Sequence, residues 1–296
     1  GIFYVHSLIF SVYLFYTFIM CVISNNTPFH LVKPSAWPFV TALFVLNMVL
    51  YIVIQFHYSL EYNNPSSIFI ISMFFVVWSA FSWWFDVMVE STHGGHFTSK
   101  VRWGIAYGFI LFIASEIMFF VSFFWTFFHS SLSPVFNIGG VWPPAGIDII
   151  SPWGVPLLNT LILLTSGATV TRAHHALLKN KFRTVILNLD LTLILAILFT
   201  KLQLFEYTES SFSISDSIYG SIFYLMTGFH GFHVLIGTIF LFVCLIRYDS
   251  GHFSRVYHLG FEAAIWYWHF VDVVWIFLFI CLYWWGGSIT TIAVFI

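Results

Sequence analysis

The sequence predicts an all-α, polytopic bundle of transmembrane helices, and three observations predict it. Charged residues make up 7% of a chain that is 60% hydrophobic, whereas soluble domains carry about 25% charge. Apolar runs long enough to cross a hydrocarbon core of ~30 Å, about 20 helical residues, recur along the chain. None of these runs alternates polar with apolar as a barrel strand must, and an open sheet edge cannot face lipid. Ten Lys and Arg with twelve Asp and Glu cannot cover 296 residues with a polar shell, so lipid takes that place.

In chain order, spans are predicted at 37–57, 67–89, 103–129, 155–177, 185–205, 218–247 and 260–285. Residues 2–24 form a candidate extra span or hydrophobic anchor, since residues 1–24 lack the basic n-region of a cleavable signal. The division is therefore an N-terminal hydrophobic extension (1–28), a seven-helix domain (29–287) and a short tail (288–296). Breaks carry the expected punctuation: Asn63, Asn64 and Pro65, then Gly94 and Gly95, then Pro143, Pro144, Gly146, Pro152 and Pro156 in the longest loop. Residues 206–216 read as an acidic, Ser-rich loop before the sixth span.

Charge then gives an orientation. With seven spans, one side holds Lys33, Lys100, Arg102, Lys179, Lys181, Arg183, Arg247 and Arg255; the other holds Glu61, Asp148, Glu206, Glu209 and Asp216. Such alternation through every turn fits the positive-inside rule and puts the start of the core on the cytoplasmic or matrix side. A net charge of −2 without a Lys/Arg run gives nothing for nucleic acid to bind. Cys21, Cys244 and Cys281 lie in apolar runs without CxxC spacing and read as small hydrophobes. Trp83, Trp84, Trp103, Trp125, Trp142, Trp284 and Trp285 sit near span ends and read as interfacial anchors.

Glu116 stands in mid-span without a basic residue within a helical turn. An ionisable group there costs roughly 3 kcal/mol, which makes it a functional candidate; a neutral acid hydrogen-bonded to a neighbouring helix is the other reading. Asp86 and Glu90 share one helix face near the basic side. Either a cation lies between them, Lys100, Arg102 or a lipid amine, or they form a solvated helix end. Thirteen His raise a metal or haem reading, with His230 and His233, or His174 and His175, as starting points and His230 with His269 as an axial pair. Spacing speaks against it, because no further helix repeats a carboxylate-and-His pattern, so no metal is assigned. No phosphate-binding loop or nucleophile elbow occurs.

Longer motifs add a resemblance. They are Asp86-Val-Met-Val-Glu90, Ser115-Glu-Ile-Met-Phe-Phe120, Phe124-Trp-Thr-Phe-Phe-His129, Trp142-Pro-Pro-Ala-Gly-Ile147, Pro156-Leu-Leu-Asn-Thr160, Ala173-His-His175, Thr227-Gly-Phe-His-Gly-Phe-His-Val234 and Phe261-Glu-Ala-Ala-Ile-Trp-Tyr-Trp-His-Phe-Val-Asp-Val-Val-Trp275. In this order they are similar to cytochrome c oxidase subunit III, with Pro34-Ser-Ala-Trp-Pro38 extending the likeness to the first family span.

The resemblance implies seven helices in two bundles, two helices and five, about a V-shaped cleft that holds structural phospholipids. It implies assembly with subunit I, which carries both haems and one copper centre, with subunit II and its copper, and with further accessory subunits, in the mitochondrial inner membrane. This chain is then a non-catalytic core subunit without a redox centre, in a complex that reduces oxygen with electrons from cytochrome c and pumps protons. Glu116 matches the family's buried carboxylate tied to proton supply; Glu90, His96 and Arg247 match positions near lipid headgroups. Phe85, Val89 and Phe97 stand where the family usually has Arg, Arg and often His, which removes cations from beside Asp86 and Glu90. Two rival readings remain: a proton transporter relaying through Glu116, Glu262 and Asp272, and a haem oxidoreductase using His230 and His269.

Overall fold

The computed structural model describes residues 28–58 and 66–287. The candidate span at 2–24 and the tail at 288–296 lie outside the described residues. Among the described residues seven α-helices follow one another: α1 (Trp37–Tyr58), α2 (Ser66–Thr92), α3 (Ser99–Leu132), α4 (Val155–Leu178), α5 (Phe182–Glu209), α6 (Ser217–Asp249) and α7 (Leu259–Leu278), the last continuing as a π-helical segment, Phe279–Trp285. No strand occurs among the described residues. Most helices overrun their predicted spans by a few residues, because a helix continues into the interfacial layer after the apolar run ends.

Six of the seven are long and apolar enough to cross a membrane. The exception, α4, has the 24 residues a span needs, about 36 Å, but is enriched in hydroxyl, amide and imidazole groups. Several of those groups face neighbouring helices. Ser166 Oγ accepts the Trp268 indole N–H at 2.9 Å, Thr160 Oγ1 accepts that of Trp275 at 2.9 Å, and Thr169 meets Thr192 at 2.7 Å. A helix that gives its polar face to neighbours need not be apolar all round.

The described residues form two compact units, divided between Ile105 and Ala106. In the first, α1 and α2 pack through the Phe44–Phe75 stack (5.1 Å) and the Trp37–Trp78 edge contact (5.7 Å). In the second, α7 lies in the core with Trp268 and Trp275 fully buried. It packs on α4 and α6, while α4 and α5 make the most extensive helix pair. Close approach explains Gly237: a Cβ there would come within 3.0 Å of the Trp268 ring. Helices end by the expected chemistry. Asn180, left-handed at φ 53, lets the Lys181 N–H reach Ala176 O (2.9 Å); Gly251, φ 75, does the same for His252 and Arg247 O (2.9 Å).

One reading needs correction. Residues 206–216 are not all loop: α5 runs to Glu209, and Glu206 is buried. Its Oε1 accepts the Tyr283 hydroxyl at 2.5 Å and the Gln203 amide at 3.3 Å, and Gln203 accepts from Asn159 at 3.4 Å. An acid near a Ser-rich stretch looks solvated in sequence; here a tyrosine 77 residues away replaces the water.

Candidate functional site: acid–histidine pairs

Glu116 lies at the middle of α3, and its Oε2 stands 2.8 Å from Nε2 of His233, the middle of α6. His233 Nδ1 is 2.6 Å from the Phe229 carbonyl oxygen, which can only accept, so Nδ1 carries its hydrogen. Nε2 therefore shares one proton with Glu116, held on the carboxyl or on the ring. Phe120, Phe270 and Tyr267 pack about the imidazole. The His233 side chain is 8% exposed and that of Glu116 24%, so the pair has an apolar back and a partly exposed carboxyl group.

Two further acids of the second unit also face imidazoles. Glu262, in the first turn of α7, has Oε1 3.2 Å from His258 Nε2 and 4.0 Å from His174 Nε2. Asp272 Oδ2 is 3.2 Å from His269 Nδ1, whose Nε2 meets Thr171 at 3.1 Å. Gly167 makes room for this carboxylate, since a Cβ there would collide with Asp272 Oδ2.

In the first unit, Asp86 Oδ2 accepts the Trp37 indole N–H at 2.6 Å and Glu90 lies 4.0 Å from His30. Trp37 and His30, which the sequence did not assign to them, thus meet the two acids for which Lys100, Arg102, a lipid amine or a solvated helix end was expected. The His30 ring stacks on His96 at 4.8 Å and lies 6.1 Å from Phe97, while Lys100 sits over Phe29. Phe85 is exposed, and Val89 accepts the His93 and Gly94 amides. Arg247, in the last turn of α6, lies 4.5 Å from the Phe253 ring. Its Nε is buried without a hydrogen-bond partner among the described residues.

A protein-family model described as cytochrome c oxidase subunit III matches residues 27–287. The relative named cytochrome c oxidase subunit 3 in Chondrus crispus is 55% identical over 261 residues, covering 88% of this chain and 95% of that one. Those of Arabidopsis thaliana (53% over 264 residues) and Drosophila melanogaster (52% over 263) each cover 89% of this chain and 98% of their own. The chain belongs to the cytochrome c oxidase subunit III family.

As a subunit III member it is a multi-pass membrane subunit of the oxidase complex. The subunit III match spans every described residue, so both units belong to one family region. Glu116 was found from sequence because a mid-span acid stands out; His233 was not assigned to it. A signal existed, since both lie at the centres of helices of nearly equal length, 34 and 33 residues. The relay of Glu116, Glu262 and Asp272 is not brought together: each faces a different histidine, and the last two are about 15 Å apart along α7. His230 and His269 are engaged with protein as well. His230 Nε2 donates to Val271 O at 3.2 Å beneath Trp275, and both His269 nitrogens are hydrogen-bonded.

Proposed function

We propose that this chain stabilises the oxygen-reducing subunit I of a mitochondrial inner-membrane oxidase and sustains proton uptake from the basic, matrix side. The Glu116–His233 pair carries the proposal, because it is a mid-span proton holder with one accessible face and an apolar back. Subunit II and further accessory subunits complete the assembly, and the haem and copper chemistry belongs to subunits I and II. Side chains of this chain supply packing surface and a proton site. Orientation rests on Lys179, Lys181 and Arg183 at the α4–α5 junction and on Arg247 and Arg255 at the α6–α7 junction.

Phospholipid headgroups are proposed as ligands of two separate places. One is the His30–Glu90–His96 group, where stacked imidazoles beside a carboxylate suit a zwitterionic head. The other is Arg247, whose buried Nε lacks a partner among the described residues and suits a phosphate. Replacing Glu116 by Gln and by Ala in the assembled oxidase tests the proton role. Turnover-dependent inactivation should quicken and proton uptake slow in both variants; unchanged behaviour in both measurements removes the role.

A further inference from the structure

We propose that His174, His258 and Glu262 bind one divalent transition-metal ion of the zinc class, where the end of α4 meets the start of α7. Among the described residues this is the one group of three or more His, Cys, Asp and Glu whose ligand atoms converge. The His174 and His258 Nε2 atoms are 3.3 Å apart, His258 Nε2 is 3.2 Å from Glu262 Oε1, and His174 Nε2 is 4.0 Å from it. A triangle with those sides has a point about 2.1 Å from each corner, which is the bond length zinc makes to imidazole nitrogen and carboxylate oxygen.

The shell behind the ligands agrees. His258 Nδ1 lies 2.9 Å from the Ser254 carbonyl oxygen, so Nδ1 bears the hydrogen and Nε2 turns its lone pair to the centre. Such a hydrogen bond behind a ring is what orients metal-binding histidines. It also leaves two acceptors face to face, a contact that either a shared proton or a metal cation satisfies. With Nε2 of neutral His258 bare, its neighbour Glu262 Oε1 is a second acceptor at hydrogen-bond distance, and His174 has one Nε2 hydrogen for both. Two imidazoles and one carboxylate select zinc-class ions over magnesium or calcium, which prefer oxygen throughout. Access is open, because the side chains of His174 and Glu262 are 25% and 33% exposed while that of His258 is 7% exposed. Bound metal ties residues 84 and 88 positions apart in sequence and so fastens α4 to α7.

The test uses the full chain in detergent, stripped with chelator and titrated with Zn2+ at neutral pH. His174→Ala and Glu262→Gln remove ligands, and His175→Ala, an exposed neighbour stacked at 6.3 Å, is the control. Wild type and control should bind one more tight zinc than the two ligand variants, whose affinity at this site should fall about 100-fold or more. X-ray absorption of the wild-type complex should show two imidazole nitrogens and a carboxylate oxygen at about 2.0–2.1 Å. Equal zinc binding by all four proteins would overturn the proposal. So would a site that takes up a proton between His258 and Glu262 while binding no zinc; circular dichroism of each variant confirms that it is folded.

Discussion

Among the described residues of α1 and α2 the buried ones are Ser72 and Ser79, and apolar side chains such as Phe39 and Phe85 are exposed; in α7 most of the helix is buried around Trp268 and Trp275. Both regions are nearly as greasy as each other, so hydrophobicity does not distinguish them. The difference lies in interhelical packing and hydrogen bonding, the forces that join helices in lipid, where burial of apolar surface has little to gain. Within the five-helix unit, Trp268 reaches Ser166, Trp275 reaches Thr160, Thr169 reaches Thr192 and Tyr207 reaches Thr227. The two-helix unit relies on Trp37 to Asp86, a 3.5 Å contact of Asn47 with Ser72, and a few ring stacks. The first unit thus keeps most of its apolar surface exposed, whereas α7 is largely enclosed by the helices of its own unit.

That contrast can be broken most forcefully at Trp268. Trp268→Ala should destabilise the five-helix unit by about 3–5 kcal/mol in denaturant titrations of the purified chain, while Phe44→Ala should cost the helix pair only about 1 kcal/mol. Equal losses would erase the distinction. Next, Gly167→Ala forces a methyl against Asp272 and should cost about 1–3 kcal/mol through overpacking, read in the same titration. Asp86→Ala, which leaves the Trp37 indole without its acceptor, should loosen α1 by about 1–2 kcal/mol, visible as faster hydrogen exchange confined to α1 and α2. Thr169→Val removes one hydroxyl pair and should cost only about 0.6 kcal/mol; a much larger loss would mean that single hydroxyls, and not packing, hold α4 to α5.

The helices were legible because a spanning run and its charged flanks are local properties, and α3 and α6 differ from expectation only at their ends. The acid Glu116 was legible for the same reason, as an isolated departure from an apolar run. Partners were not. His233 is 117 residues from Glu116, Tyr283 is 77 from Glu206, and His258 is 84 from His174. Topology alone brings such residues together, and no periodicity within one helix records it. The grouping of His174, His258 and Glu262 was not legible for the same reason, because its atoms come from the end of one helix and the start of another.

The proposed proton role requires Glu116 and His233 to act as one proton-holding unit. Proton uptake by the assembled oxidase, compared among Glu116→Gln, His233→Asn and the double variant, tests this most directly. Each single change should slow uptake to the same degree, and the double variant should be no slower than either. Effects that multiply in the double variant would show two independent groups and contradict the account.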